Sequence, residues 1–339
     1  MRREAAAYAY CLSLTALYVL SLYMVPRRVR ALSRDDPLHI CWRLAAATLA
    51  TLASVPACYF AIGSLIRPPY EAVGAYDLRS FLIIIGFRVD SAMQCTVVAI
   101  ALMTIFYMGP IVTYLLYFAT SCRYDIRYDG HLTLLSSRKG GAAASKGLRR
   151  NLTRLYYERV RPHCSLITLR AIVFAPVSEE IVFRALMLPV LAMASEGSGD
   201  AAAHSRLALL CPAFFALAHL HHMYEKVTKS GMSLRTAAAG TLLQAAYTGV
   251  FGHIACLLFL RSGSVVTPVV SHIYCNYMGL PDLSFVEEGK ELSFLRAHRV
   301  WLLLLHALGV ALFAFALAPL TQPLAQAPLH QEWEAAMWR

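Results

Sequence analysis

The sequence predicts an all-α fold, a polytopic membrane helical bundle with about eight transmembrane helices. Of the 339 residues, 58% are hydrophobic and only 15% are charged, and the mean hydropathy is +0.53. Soluble domains carry about 25% charged residues. This composition argues against disordered, collagen-like, coiled-coil and secreted disulfide-scaffold classes. The nine cysteines include no CxxC pair, so they are interpreted as buried thiols rather than as a zinc site.

Eight apolar stretches predict the transmembrane helices. A span needs about 20 apolar residues, because the hydrocarbon core is about 30 Å thick and a helix rises about 1.5 Å per residue. The predicted spans are residues 5–25, 44–66, 93–117, 168–190, 207–223, 237–260, 265–278 and 300–320. The fifth and seventh are short. The first follows two arginines, as a signal peptide would, but its length and the lack of a small-residue cleavage site favour an uncleaved span.

Basic residues predict the orientation. The formal net charge is +11, and an excess of Lys and Arg in a membrane protein marks cytoplasmic loops, so we expect no nucleic-acid partner. Basic residues cluster after the first span, from Arg27 to Arg43, and again between Arg123 and Arg161. Both loops are therefore predicted to be cytoplasmic, with both chain termini on the far side.

Two adjacent carboxylates interrupt the fourth span. A charge at mid-membrane is costly and usually faces a cavity or a partner. Glu180 and Arg184 are four residues apart with the acid first, which is the favourable order for an ion pair. Glu179 points about 100° away and is then available as a general base, with Pro176 interrupting the helix just before it. The alternative is that both acids are paired and simply join helices.

Histidines end the fifth span. His219 shares a helix face with Phe215, and His222 lies about one turn beyond His219. A neutral imidazole exchanges a proton near pH 7, which suits catalysis. Three close histidines also suggest a metal, but no HExxH motif is present. His221 and His222 also fit an interfacial position at the end of a short span.

His272 and Asn276 are the polar pair of the seventh span. They are four residues apart on one helix face. Both side chains can donate an N–H to one oxygen atom, as an oxyanion hole requires. An ordinary interhelical hydrogen bond explains the pair equally well. Taken together, a carboxylate, a histidine and two donors predict hydrolysis of an acyl group by water, because no GxSxG nucleophile motif is present.

At these residues the chain resembles the eukaryotic type II CAAX prenyl endopeptidases, a family of glutamate intramembrane proteases. The ordered set of EExxxR, FxxxAHxHH and HxxxN, followed by NYMGLP, is the specific part of the match. The matching segments are GFR at 86–88, Gly109-Pro110, APVSEEIVFRALMLP at 175–189, FFALAHLHH at 214–222, the Gln244 to Gly252 stretch, LFLRSGS at 258–264 and SHIYCNYMGLP at 271–281.

The resemblance implies an eight-span protease of the endoplasmic-reticulum membrane. It would remove the last three residues of CAAX proteins, such as small GTPases, whose CAAX cysteine carries a farnesyl or geranylgeranyl chain. The implied catalytic residues are Glu179, His219, His272 and Asn276, and the supporting ones are Glu180, Arg184, Phe215 and His222. No cofactor and no metal are implied, and nothing in the sequence predicts an oligomeric state.

The resemblance also predicts the layout of the chain. N-terminal helices and loops (1–90) precede the protease core (91–281), and a C-terminal helix and tail (282–339) follow. The polar spans are expected to line a conical, hydrated cavity that opens to the lipid for the prenyl chain and to the cytosol for peptide and water. Two other hypotheses remain: a membrane protease of the wider family that cuts unprenylated substrates, and a non-catalytic membrane scaffold or transporter.

Overall fold

Helices form all the regular structure of the residues described by the computed structural model, which are 2–65, 76–117, 165–194, 201–286, 293–326 and 330–331. The predicted all-α fold is therefore confirmed for this part of the chain. In chain order the helices are α1 (Arg2–Ser21), α2 (Arg27–Arg30), α3 (Pro37–Leu65), α4 (Leu78–Ile84), α5 (Ala92–Phe106), α6 (Met108–Tyr117), α7 (Leu166–Leu169), π1 (Arg170–Phe174), α8 (Ala175–Glu180), π2 (Ile181–Leu186), α9 (Leu188–Ala194), α10 (Ala201–Ala218), α11 (His221–Thr228), α12 (Leu234–Ser262), α13 (Val266–Met278), a 3₁₀ turn (Ser284–Val286), α14 (Ser293–Ala297) and α15 (Arg299–Ala325).

Three described helices, α3, α12 and α15, are long and apolar enough to cross a membrane. The bent pair of α5 and α6 gives a fourth candidate if it is counted as one span. These four correspond to the second, third, sixth and eighth predicted spans. The other predicted spans fall on α1 and on shorter or interrupted helices. Hydropathy is averaged over a window of residues, so an apolar stretch scores as one span even where the helix is broken within it. The total of eight therefore stays a prediction.

The bend between α5 and α6 measures 67°. It lies next to Gly109 and Pro110. Pro110 has no N–H and cannot donate to the carbonyl four residues earlier, so the α5 ladder cannot continue through it. Gly109 lies so close to α15 that a Cβ at this position would be 2.6 Å from the His306 backbone. A larger residue would therefore push α6 away from α15.

The chain forms two compact units. Unit 1 comprises residues 1–100, 170–274 and 319–339, and unit 2 comprises residues 101–169 and 275–318. The core of unit 1 includes the fully buried Phe183, Leu186 and Phe215. In unit 2, Phe285, Leu295 and Leu302 form a smaller buried cluster. The predicted division at residues 90 and 281 stays a prediction.

The fourth predicted span is a helix in which α and π turns alternate. The wider turns of π1 end at Phe174, and α8 starts at Ala175 with Pro176 in its first turn. The change of helix type lies where proline was expected to interrupt the ladder, since proline has no N–H to donate. The turns of π2 follow directly after Glu180. Single π turns within α-helices are frequent at functional sites.

A short apolar segment fixes the start of α13. Helix α4 buries Phe81, Ile83 and Ile84 and leads to Gly86, whose φ of 78° is left-handed. The Gly86 carbonyl accepts a hydrogen bond from the Val265 N–H at 3.0 Å. A Cβ on Gly86 would lie 2.8 Å from the Phe259 ring. Glycine is therefore required here both for conformation and for space.

The predictions for the two basic loops fare differently. The segment from Arg123 to Arg161 lies outside the described residues, and the predicted orientation stays a prediction. After the first span, Arg43 was expected in a loop, but α3 begins at Pro37 and includes it. Its side chain is buried against Glu225, so that expectation was wrong. An arginine that is paired with a carboxylate can lie inside a helix. Hydropathy alone places the start of that helix after the arginine.

Candidate active site

A buried ion pair forms the base of the site. Arg184 Nη1 donates to Glu180 Oε1 at 3.0 Å, and neither side chain is exposed. Arg184 Nη2 also donates to the Gly252 carbonyl at 3.3 Å. The guanidinium lies 4.5 Å from the centroid of the Phe215 ring, a cation–π contact. The predicted pairing of Glu180 with Arg184 is confirmed.

His272 of α13 contacts both acids of the glutamate pair. Its Nδ1 lies 2.7 Å from Glu180 Oε1. Its Nε2 lies 3.8 Å from Glu179 Oε2, too far for a direct hydrogen bond. An ionised carboxylate only accepts hydrogen bonds, so Nδ1 is the protonated nitrogen that faces Glu180. The ring is therefore held with its other nitrogen directed towards Glu179.

The two glutamates differ in their access to solvent. The Glu179 side chain is 17% exposed, whereas the Glu180 side chain is fully buried. Neighbouring residues of a helix point about 100° apart, which allows this separation. The preceding hydroxyl, that of Ser178, is hydrogen-bonded to Tyr18 of α1 at 2.8 Å. Glu179 is therefore the carboxylate that water can reach.

His219 lies just after α10, where the helix leaves carbonyl groups without intrahelical donors. Its Nδ1 is 2.8 Å from the Phe215 carbonyl. Since a carbonyl only accepts, Nδ1 carries the proton, and Nε2 of the neutral ring is left with a lone pair. The His219 ring packs edge-on against the Phe215 ring at 4.7 Å between centroids. The His272 ring packs against the same Phe215 ring, at 6.0 Å between centroids.

His222 starts a second polar cluster on α11. Its Nδ1 lies 3.5 Å from Glu225 Oε2, and Arg43 donates to the other Glu225 oxygen at 3.0 Å. Arg34 also pairs with Glu225. Burial alone would raise the pKa of Glu225, but the hydrogen bond from His222 and the two arginines hold that pKa well below its usual range.

The same cluster is the metal alternative that the histidines suggested. The ligand atoms of His221, His222 and Glu225 all lie within 4.8 Å of one another. Both oxygens of Glu225, however, are already bound by arginine side chains. A cation at this carboxylate would have to displace or face those guanidinium groups. The donor set therefore fits a buried ion-pair network better than a metal centre.

Asn276 lies one turn beyond His272 on α13 and is exposed. The helix places the two on one face, as the four-residue spacing predicts. The structure thus brings Glu179, Glu180, His219 and His272 together in unit 1 with Phe215 and Arg184. The role of Asn276 as a second oxyanion donor stays a prediction.

Comparison with known proteins identifies a family for this chain. Residues 161–278 match the family described as "Type II CAAX prenyl endopeptidase Rce1-like". The chain is 33% identical over 313 residues to the protein of Homo sapiens named CAAX prenyl protease 2. The aligned region covers 92% of this chain and 80% of that protein. It is 31% identical over 325 residues to the CAAX prenyl protease 2 of Arabidopsis thaliana, covering 94% and 90%.

This chain belongs to the type II CAAX prenyl endopeptidase family. The resemblance seen in the sequence is thereby confirmed. A shorter match, 37% identical over 119 residues, joins it to a probable CAAX prenyl protease 2 of Schizosaccharomyces pombe, over 34% of this chain and 41% of that protein. No solved structure matches the chain significantly. Family membership makes this an endopeptidase with a multi-pass membrane fold.

Several contacts of the candidate site of this CAAX endopeptidase have no counterpart among the predictions from sequence. The Phe251 ring lies 4.5 Å from the His272 ring between centroids, and the neighbouring Gly252 carbonyl binds Arg184. Tyr18 and Glu225 were not considered either. For Glu225 a signal was present, since it lies three residues after His222 on the same helix face. For Tyr18 no local signal exists, because its partner lies 160 residues away.

Proposed function

We propose that this chain removes the last three residues of farnesylated or geranylgeranylated CAAX proteins, such as small GTPases, by attack of a water molecule that Glu179 and His219 activate. The observation that carries the proposal is the position of His272. Its ring lies between the buried Glu180 and the accessible Glu179, and it packs against Phe215, as the His219 ring does. That geometry provides an acid–base pair and a donor for one reaction centre.

Glu179 takes the proton of the attacking water. Water oxygen adds to the carbonyl carbon of the prenylated cysteine, and the proton passes to the Glu179 carboxylate. His219 orients the same water by accepting a hydrogen bond at Nε2, since its Nδ1 proton is bound to the Phe215 carbonyl. When the C–N bond breaks, the proton returns from Glu179 to the departing amine. A positioned base of this kind contributes about 10²–10⁴-fold to the rate.

His272 stabilises the oxyanion of the tetrahedral intermediate from Nε2. Because Nδ1–H donates to Glu180, a donating Nε2 requires protons on both ring nitrogens in the active form. Glu180 accepts from that imidazolium, and Arg184 in turn matches the charge of Glu180. Asn276 supplies the second donor. Glu180 and Arg184 are thus positioning residues, whereas His272 contacts the reacting atoms.

The membrane setting explains the lipid requirement. Each buried CH₂ of a prenyl chain contributes about 0.8 kcal/mol of binding energy in an apolar surrounding. A site that opens sideways to the bilayer uses this energy to hold the scissile carbonyl in place. We place the enzyme in the endoplasmic-reticulum membrane with its site open to the cytosol, where the basic loops are predicted to lie.

The test is mass spectrometry of a farnesylated CAAX peptide incubated with the purified protein. The expected product is the peptide that ends at the prenylated cysteine, together with the free tripeptide. A geranylgeranylated peptide is expected to react too, and the same peptide without a lipid is the matched control. Equal cleavage of the unprenylated peptide would favour a protease of the wider family. Specific binding without turnover would favour a non-catalytic scaffold or transporter.

A further inference from the structure

A polar cavity lies directly beside His222. Its volume is about 840 Å³. The charged residues that line it are Arg30, Arg34, Glu225, Lys226 and Lys229. It belongs entirely to unit 1, as do His219 and His272. The function proposed for Glu179 and His219 makes no use of this cavity.

The cavity carries an excess of positive charge. The one carboxylate in its lining, that of Glu225, is matched by Arg34 and by the buried Arg43 behind it. Within the described part of the chain, Arg30 donates to the backbone carbonyls of Tyr23 and Val25 and to no carboxylate. The remaining cations of the lining, Lys226 and Lys229, have no carboxylate partner among the residues that the structure describes. Lys226 donates to a neutral partner, Thr241 Oγ1, at 3.4 Å. The lining therefore carries more positive than negative charge and favours an anion over a cation.

The distance from the proposed reaction centre to the cavity indicates how long a peptide with a charged end must be to reach it. The rings of His219 and His222 lie 5.8 Å apart between centroids. From His222, α11 rises about 6 Å to Lys226 and about 10 Å to Lys229, at about 1.5 Å per residue. Three residues in an extended conformation reach about 10 Å. Laid end to end, these steps place Lys226 about 12 Å and Lys229 about 16 Å from the His219 ring at most. A tripeptide that starts at the reaction centre therefore ends within about 2 Å and about 6 Å of these two positions, and the flexible four-carbon stem of a lysine covers the remaining distance.

We propose that this cavity binds the C-terminal carboxylate of the substrate, with Lys226 and Lys229 as its charged donors. The proposal rests on the function proposed above, because a CAAX substrate ends in a free carboxylate three residues after the scissile bond. It gives the enzyme a physical reason to cut at a fixed distance from a chain end. The two lysines bind the C-terminal carboxylate on one side of the scissile bond, and the membrane holds the prenyl chain on the other side.

The test compares two farnesylated CAAX peptides that differ only at the end, one with a free carboxylate and one with a carboxamide. In the unaltered enzyme, in vesicles of phosphatidylcholine, we expect kcat/KM to be at least about tenfold higher for the free acid, as charge-assisted hydrogen bonds give. In a Lys226→Gln/Lys229→Gln double variant this preference is expected to fall to about twofold or less. Equal cleavage of both peptides by the unaltered enzyme would overturn the proposal.

Two control variants separate charge from fold. Lys229→Arg retains the charge and is expected to retain the preference. Arg28→Gln removes an exposed arginine from α2 that does not line the cavity, and it too is expected to retain the preference. An unchanged preference in the double lysine variant would show that other residues read the carboxylate, contrary to the proposal.

A lipid phosphate has the same chemistry as a carboxylate, and a second arm distinguishes the two. If the double lysine variant lost activity on both peptides equally, and only in vesicles that contain phosphatidylserine, the cavity would bind lipid headgroups and the proposal would be wrong. If the unaltered enzyme cut neither peptide in any vesicle, the proposed function itself would fail, and the carboxylate site with it. Cleavage of the two peptides at unequal rates separates these cases.

Discussion

Glu179 and Glu180 are adjacent in the chain but have opposite surroundings. Glu180 is enclosed by Arg184 and His272, and one of its oxygens is buried without a hydrogen-bond partner among the described residues. Glu179 is partly open to solvent, and its nearest basic group among the described residues is the His272 ring at 3.8 Å. At the residue scale, one carboxylate is thus enclosed in an ion pair and the other is accessible to water.

Glu179→Gln is therefore expected to reduce kcat by at least about 100-fold while the protein stays folded. The amide has nearly the shape of the acid but cannot take a proton from water, which removes the base. Turnover of the farnesylated peptide is the measurement, and the melting temperature in detergent is the control for folding. Ordinary turnover by this variant would contradict the assignment of the base. His219→Gln is expected to behave in the same way.

Glu180→Gln is the matched substitution one residue later, and its expected effect is on stability. It leaves the buried guanidinium of Arg184 without an anion, and removing one partner of a buried ion pair costs about 3–5 kcal/mol. The melting temperature is expected to fall clearly below that of Glu179→Gln. Equal melting temperatures for the two variants would show that the Glu180–Arg184 pair does not stabilise the fold.

Helix α12 illustrates the element scale, because two of its glycines differ in their surroundings. A Cβ at Gly252 would lie 3.1 Å from Pro212 of α10 and 3.3 Å from Arg184 Nη2. At Gly249, three residues earlier, nothing lies within 4 Å of the same atom. Gly252 therefore permits the close approach of α10 and α12 that presents its carbonyl to Arg184.

Gly252→Ala is expected to destabilise the protein, and Gly249→Ala to stabilise it. Both gain about 1 kcal/mol of helix propensity. At Gly252 this gain is opposed by crowding against Pro212 and Arg184, which costs about 1–3 kcal/mol in a packed interior. Thermal unfolding of the two variants is the measurement. A higher melting temperature for Gly252→Ala than for Gly249→Ala would contradict the packing argument.

At the scale of the whole molecule, Glu225 joins segments that are far apart in sequence. It lies on α11 and binds Arg43 of α3, 182 residues away, at 3.0 Å. Arg34, its second partner, is 41% exposed, whereas the side chain of Arg43 is 7% exposed. Exposed pairs contribute little because water and salt screen them. Arg43 is therefore the partner that ties α11 to α3.

The lowered pKa of Glu225 predicts an acid-dependent stability. A carboxyl group whose pKa is lower in the folded than in the unfolded protein stabilises the fold above the unfolded pKa, about 4.3, and loses this effect as the pH falls. The difference in melting temperature between the unaltered protein and Glu225→Gln is expected to be full at pH 7 and to shrink below about pH 4. A difference that stayed constant down to pH 3 would contradict the pairing.

Metal removal is a further test on the complete enzyme. Both Glu225 oxygens are bound by arginines, and the proposed reaction uses only side chains and water. We therefore expect a strong chelator to leave the cleavage rate of the farnesylated peptide unchanged. Loss of activity with a zinc chelator, reversed by added zinc, would instead support a metal at His221, His222 and Glu225.

What the sequence determined is what lies within one helical turn. The composition established a membrane helical bundle, and four-residue spacings predicted the pairing of Glu180 with Arg184 and the shared face of His272 and Asn276. These predictions hold because an α-helix fixes the direction of a side chain from its position in the chain. The motif order added the family, which the comparisons confirmed.

Only the tertiary structure decided which helices meet. Glu180 and His272 are 92 residues apart, and nothing local requires the imidazole to lie between the two glutamates. The burial of Arg43 against Glu225 and the interruptions of the fourth span also depend on packing. Hydropathy averages over a window and cannot register a matched charge or a π turn. Contacts between distant residues are set by how helices pack against one another, and that packing has no signature in the spacing of any single helix.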